Sequence, residues 1–180
     1  MTTADAQGET PAPVATSVSA KVLAECIVDL GITHIITVPD TVQKSFLAYM
    51  EQQDKVKILT VCTEDEAMGI NAGLYATGHR PMMVIQNNGF YASVNTLKAL
   101  AFDAQVPTFM FVGQFGRDLT KDSNDNRRRG VRMLEPTMQT WDVPYYRLEN
   151  PEDIGVVEEA YRKCQEIEGP VAVIIGAPTS

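Results

Sequence analysis

The sequence predicts an α/β fold: a doubly wound parallel sheet with helices on both faces. Two observations lead there. Runs such as His34-Ile-Ile-Thr-Val38 and residues 171–175 are apolar almost throughout. That marks strands buried on both sides, because a strand with one wet face alternates. Between these runs lie segments with helical apolar spacing, of the dozen or so residues that a parallel crossover requires. A chain of 180 residues, 44% hydrophobic and 21% charged, supplies a full core for one such domain.

Each element can be justified in turn. Residues 1–17 are small, polar and proline-bearing, with Val14 the only sizeable apolar group after the starting methionine. They are expected to form a mobile tail ahead of a domain spanning 18–180. Val18, Val22, Leu23, Cys26, Ile27 and Leu30 recur at helical spacing, and Gly31 stops that helix. The strand from His34 ends at Pro39. The next helix is expected to start after Asp40-Thr41, with Asp40 as its N-cap and Val42, Phe46, Leu47 and Met50 turned inward. A strand is expected over 56–61, a helix over 64–77 ended by Gly78, and a strand over 82–85. A helix over 91–103, a strand over 108–112, a helix over 134–141 and a strand over 145–148 follow. A helix over 153–168 and the strand over 171–175 close the chain. Trp141, Tyr145 and Tyr146 fall where packing is the expected role.

Composition excludes several functions. The net charge of −8 repels polyanions, so nucleic acid is not an expected partner. Cys26, Cys62 and Cys164 form no CxxC pair and stand apart from His34 and His79, so no metal site is expected. Sparse, odd cysteines and the lack of a signal-peptide pattern fit a cytoplasmic protein, and no apolar run reaches membrane-spanning length. There is no GxGxxG, no GxxxxGK[ST] and no GxSxG. The two histidines read as strand-end and turn residues.

In a doubly wound sheet ligands sit beyond the carboxyl ends of the strands. One loop there opens Thr63-Glu-Asp-Glu-Ala-Met-Gly-Ile-Asn-Ala-Gly. Locally this is a capping box, with Thr63 as cap, Glu66 reaching back, and acids suited to the helix macrodipole. The same helix carries Gly69, Ala72, Gly73 and Ala76 on one face. Two helical glycines cost ~1 kcal/mol each relative to alanine, which makes sense where another backbone approaches.

The order of these motifs resembles the pyrimidine-binding domain of thiamin-diphosphate enzymes. The similarity is greatest to sulfopyruvate decarboxylase alpha subunits and the N-terminal half of phosphonopyruvate decarboxylases. It rests on Val38-Pro39-Asp40, on Glu64 with Ala67, Gly69, Ala72 and Gly73, on Gln86-Asn87-Asn88-Gly89 with Asn95, and on Asp142-Val-Pro-Tyr145. The resemblance implies that Glu64 is the activating glutamate, hydrogen-bonded to N1′ of the aminopyrimidine so that the cofactor can deprotonate its own thiazolium carbon. It implies cofactor contact at Asn87, Asn88 and Gly89, and substrate contact at Asp40, Thr41 and Asn88. Helix capping at Asp40 and Thr41, and chain turning at Asn87–Gly89, account for the same residues without ligand. Phe90 and Tyr91 replace the family's small residues and are expected to narrow or redirect the substrate pocket.

The family holds the diphosphate and Mg²⁺ with a GDG…N motif, which this sequence lacks. The resemblance therefore implies thiamin diphosphate and Mg²⁺ completed by a partner, a beta subunit carrying GDG…N, with the small-residue face as a candidate contact. Residues 113–132 hold Arg117, Lys121, Arg127, Arg128, Arg129 and Arg132. That cluster is either a solvated loop or a lid offering an arginine, with Arg128 the candidate, to a small anionic 2-oxo acid. Two other functions stay open: a non-catalytic ligand-binding or regulatory domain, and a different lyase or carboligase reaction.

Overall fold

The computed structural model describes residues 13–180. Helix α1 (Ala20–Asp29) leads to β1 (His34–Thr37), α2 (Lys44–Met50), β2 (Lys57–Thr60), α3 (Glu64–Ala76) and β3 (Pro81–Gln86). Helix α4 (Asn87–Leu97) follows, continued by a π-helical stretch Lys98–Asp103, then β4 (Thr108–Gly113) and the short helices α5 (Arg129–Arg132) and α6 (Leu134–Thr140). Strand β5 (Tyr145–Leu148), a 3₁₀ turn Pro151–Gly155, α7 (Val156–Ile167) and β6 (Pro170–Ile175) complete it. The strands form one sheet in the order β2-β1-β3-β4-β6-β5, every neighbouring pair parallel.

Burial follows position in the sheet. Strands β1, β4 and β6 are buried along their whole length, and β3 is buried up to its last residue. Edge strand β2 exposes Lys57 and Thr60, the polar ends that discourage pairing with another chain. Successive side chains of a strand point to opposite faces, so neighbouring residues feed two cores. Ile35, Met82, Val84, Phe109 and Phe111 pack against Leu23 and Ile27 of α1, Phe46 of α2 and Val157 of α7. Ile36, Met83, Ile85, Met110 and Val112 pack against Met68 of α3, Phe90 and Leu97 of α4, and Met138 of α6. Among the described residues no helix is long and apolar enough to cross a membrane.

Four expectations shift. Residues 1–12 of the expected tail lie outside the described residues. From Val14 the chain lies on the body: the Val14 and Thr16 amides donate to the carbonyls of Leu119 (2.6 Å) and Glu149 (2.8 Å), and Ala15 is fully buried. Asp40 does not cap α2, which starts at Lys44 with Gln43 in the N-cap position. The helix expected from 91 starts four residues earlier, at Asn87. Trp141 is 39% exposed rather than packed.

His34 opens β1 beside His79, ring centroids 4.7 Å apart. Burial, with repulsion from His79 and Lys57, lowers its pKa below the ordinary value. The unfolded chain therefore takes up this proton first as pH falls. The contribution of a neutral His34 is complete above about pH 6.5 and is lost below it. Melting temperature should fall between about pH 7 and pH 5, and less steeply in His34→Gln; parallel curves would remove His34 from the transition. Removing residues 1–17 should also lower the melting temperature by several degrees, since each kcal/mol is worth about 2–4 °C in a domain of this size. An unchanged value would show that residues 14–17 add nothing.

Candidate functional site

The chain leaves β1 toward α2 on one face of the sheet and leaves β3 toward α4 on the other. Between these neighbouring strands their carboxyl ends open a crevice, the usual ligand position in an open α/β sheet. Residues 39–43, 62–64, 86–89 and 113–116 surround it.

The three acids at the start of α3 have different environments. The Asp65 carboxylate accepts the Thr96 hydroxyl at 2.6 Å, tying α3 to α4. Glu66 accepts the Cys62 amide at 3.0 Å, while Thr63 caps the Glu66 amide at 3.3 Å. The capping box is thus present, but its return bond goes to Cys62 rather than to the cap residue. Glu64 has neither kind of bond: among the described residues its carboxylate has no hydrogen-bond or ion-pair partner. It is half-buried and lies against the backbone of Gly89, in the first turn of α4, so closely that any Cβ there would collide with it. Only glycine lets the carboxylate occupy that place.

Asn87, Asn88 and Gly89 are therefore helical rather than a strand-end turn, and they have separate roles. Asn87 is buried, and its amide donates to the carbonyls of Gly130 (3.0 Å) and Phe115 (3.4 Å) while its oxygen accepts the Asn88 amide (3.0 Å). Its hydrogen-bonding capacity serves the protein itself. Asn88 is exposed, with one 3.5 Å contact to Gln86, and keeps its donors available. Phe90 does not narrow a pocket: it points into the second core and is fully buried. Tyr91 is half-buried, and its hydroxyl donates to the Gly130 carbonyl at 2.9 Å.

Across the crevice the Asp40 carboxylate is 3% exposed and rests on the Gly113 backbone. It accepts the Val42 amide (3.0 Å) and the Gln43 side-chain amide (2.9 Å). Burial raises its pKa, and those hydrogen bonds only partly oppose the rise. Gln43 also donates to the Ile85 carbonyl at 3.0 Å, joining the β1 loop to β3. Thr41 is exposed and lines a hollow of about 210 Å³ with Val42, Gln114, Phe115, Gly116 and Arg117.

The basic segment also divides. Arg117 is buried in an ion pair with Glu149 (2.7 Å), Lys121 pairs with Asp118 (3.5 Å), and Arg132 donates to the Arg127 carbonyl (2.9 Å). Arg127, Arg128 and Arg129 are exposed, with no acid partner among the described residues. Sequence reasoning missed Gly130, whose carbonyl moors the segment, because a backbone acceptor leaves no mark in the sequence. No group of three His, Cys, Asp or Glu side chains among the described residues can hold a metal ion. The arrangement offers one fixed, unpartnered carboxylate, one buried acid with a raised pKa and nearby guanidinium groups. It suits proton management beside an anionic ligand.

Residues 18–140 match the family described as "Thiamine pyrophosphate enzyme, N-terminal TPP binding domain". The chain is 28% identical over 150 residues to the sulfopyruvate decarboxylase subunit alpha of Methanocaldococcus jannaschii, spanning 83% of this chain and 88% of the relative. To the protein of the same name from Methanococcus maripaludis it is 23% identical over 154 residues, 85% of this chain and 91% of the relative.

Gly89→Ala should separate fold from site. Alanine favours a helix by up to ~1 kcal/mol, so the melting temperature should hold or rise slightly. The new methyl group must push Glu64 aside, which a crystal structure of the variant would reveal. A Glu64 carboxylate still in place would disprove the close-contact reading.

Proposed function

The chain belongs to the thiamine pyrophosphate enzymes through their N-terminal TPP binding domain, and on that premise we propose that it is the alpha subunit of a two-component thiamin-diphosphate-dependent 2-oxo acid decarboxylase. The relatives named sulfopyruvate decarboxylase subunit alpha support this carboxy-lyase activity and favour a small pyruvate derivative with a second anionic group, of the 3-sulfopyruvate type. One observation carries the reading. Of three acids in one helical turn, Glu64 alone has no partner among the described residues, and it is the one seated against Gly89.

The residues present fit the aminopyrimidine half of the cofactor and not its diphosphate–Mg²⁺ half. Glu64 is a carboxylate free to hold a proton shared with N1′, and exposed Asn88 offers amide donors beside it. Nothing among the described residues offers three metal ligands. Bound thiamin diphosphate supplies the nucleophile and electron sink for loss of CO₂ from a 2-oxo acid. The protein's part is orientation and charge. Glu64 holds the proton, Gly89 allows it to sit there, and the buried acid Asp40 and the Thr41 hydroxyl face the substrate side.

A beta subunit carrying GDG…N would hold the diphosphate and Mg²⁺. Helix α3 supports such a partner, because a Cβ at Gly69 or Gly73 would meet nothing among the described residues. Their helical cost has no return among the described residues. Three free thiols, with Cys164 pushed up to about 12 by burial, support a reducing, cytoplasmic setting.

Glu64→Gln tests the reading in the assembled complex. Glutamine keeps shape and hydrogen bonding but cannot carry the proton, so turnover should fall by roughly a hundredfold or more. Assembly, followed by size-exclusion chromatography, should be unchanged. Near-normal turnover in an intact complex would leave Glu64 only a helix-start acid.

A further inference from the structure

The first turn of α4 serves two structures at once. On one side Gly89 seats Glu64. On the other, the Asn87 amide and the Tyr91 hydroxyl both donate to the Gly130 carbonyl, at 3.0 and 2.9 Å, and Asn87 reaches Phe115 as well. Val131 and Leu134, buried at 1% and 0% exposure, anchor the chain just beyond this double bond. Residue 128, two positions before Gly130, is therefore held to a fixed place beside the crevice. The Arg128 guanidinium lies on the backbone of Gly116. That glycine has a left-handed φ of 81°; a side chain there would be strained and would also displace the arginine.

Gly116 lines the hollow of about 210 Å³ that Thr41 borders. Pockets for drug-sized ligands start at roughly 300 Å³, so this one has room only for a small group, and the charge to meet an anion must come from its rim. Guanidinium binds carboxylate or sulfonate oxygens through two parallel N–H donors, which a lysine cannot reproduce. Of the six basic residues in the segment, Arg117 and Lys121 are neutralised by acids and Arg132 is turned to a carbonyl. Of the exposed Arg127, Arg128 and Arg129, it is Arg128 that lies against a residue lining the hollow. Burial raises the Tyr91 pKa, so its hydroxyl remains a donor through the neutral range.

We propose that Arg128 binds the second anionic group of a dianionic 2-oxo acid over the Gly116 hollow, and that Tyr91 is the positioning residue that holds it there through Gly130. This rests on the decarboxylase reading for its substrate, and places anion recognition and Glu64 on opposite sides of one helical turn.

The test uses the assembled complex, with 3-sulfopyruvate and pyruvate as substrates and sulfoacetate as a non-reacting dianion in calorimetry. Arg128→Gln should raise KM for 3-sulfopyruvate roughly ten- to hundredfold. The loss should be selective, KM for pyruvate rising far less than KM for 3-sulfopyruvate, and sulfoacetate affinity should fall in step with the dianion KM. Arg128→Lys should recover only part of the loss. Tyr91→Phe should show the same dianion-selective pattern at smaller amplitude, which a general loss of stability would not produce. Arg128 is exposed, so its variants keep the fold even where Tyr91→Phe does not. Equal effects on both substrates, or sulfoacetate binding indifferent to Arg128, would overturn the proposal. A wild-type complex that decarboxylates neither acid defeats the decarboxylase reading instead, and sulfoacetate binding then decides the anion site alone.

Discussion

Everything in the candidate site depends on a carboxylate resting on bare backbone. Glu64 and Gly89 come from two helices that start beyond different strands, yet they touch because α3 and α4 lie on the same face of the sheet. Packing beneath them fixes the distance. Met68 from α3 and Phe90 and Leu97 from α4 are all essentially fully buried in one core, each contributing about 1.5–3 kcal/mol by burial. The Thr96–Asp65 hydrogen bond ties the two helices again on the solvent side. Glu64 is thus placed by its surroundings and leaves its own hydrogen-bonding capacity unused.

The same helix turn organises the opposite wall. Asn87 is buried at 1% exposure, a position polar side chains occupy only when satisfied. It meets that requirement by gripping the strand-end loop at Phe115 and the basic segment at Gly130. An acidic protein of net charge −8 would by itself repel a small dianion. The exposed Arg127, Arg128 and Arg129 set positive charge against that repulsion locally, within a distance comparable to the ~8–10 Å Debye length. Rigid mooring also lowers the ordering cost that a free loop would incur on closing over a ligand.

Most of the fold was legible in the sequence because strand burial is a strong one-dimensional signal. His34–Thr37 and residues 171–175 admit little else than buried strands, and both lie inside the sheet, flanked on either side by another strand. Boundaries were less readable where side chains served tertiary partners. Asn87 looks like a turn residue until Gly130 and Phe115 give its amide something to bind. Asp40 looks like a cap until Gln43 and Val42 take its oxygens. Phe90 looks like pocket bulk because a sequence does not show which way a helix faces when its start is misplaced by four residues. Residues 14–17 looked unbound because their contacts are mainly backbone amides and hydroxyls, which hydrophobicity does not register. Glu64 was legible as a candidate only through family resemblance. Local physics treats three consecutive acids at a helix start alike, and their distinct environments are a property of the packed molecule.

On the proposed reading, the division of chemistry between subunits follows from what each kind of group requires. A proton-holding carboxylate needs only a rigid seat, and one domain can build it from a helix turn and a glycine. A diphosphate with a divalent cation needs several oxygen ligands converging from different directions, and the described residues supply no such set. Helix α3 then links the two halves on the proposed reading. Its buried side, through Ala67, Met68 and Asn71, secures Glu64 to this domain. Its open side, where Gly69 and Gly73 meet nothing among the described residues, is left for another backbone to approach. The glycines weaken the helix by ~2 kcal/mol in total, a cost the central strands and two cores can absorb. On that reading the Glu64 carboxylate already has its seat against Gly89 within this domain, so that assembly would contribute binding groups and would not have to create the geometry around it.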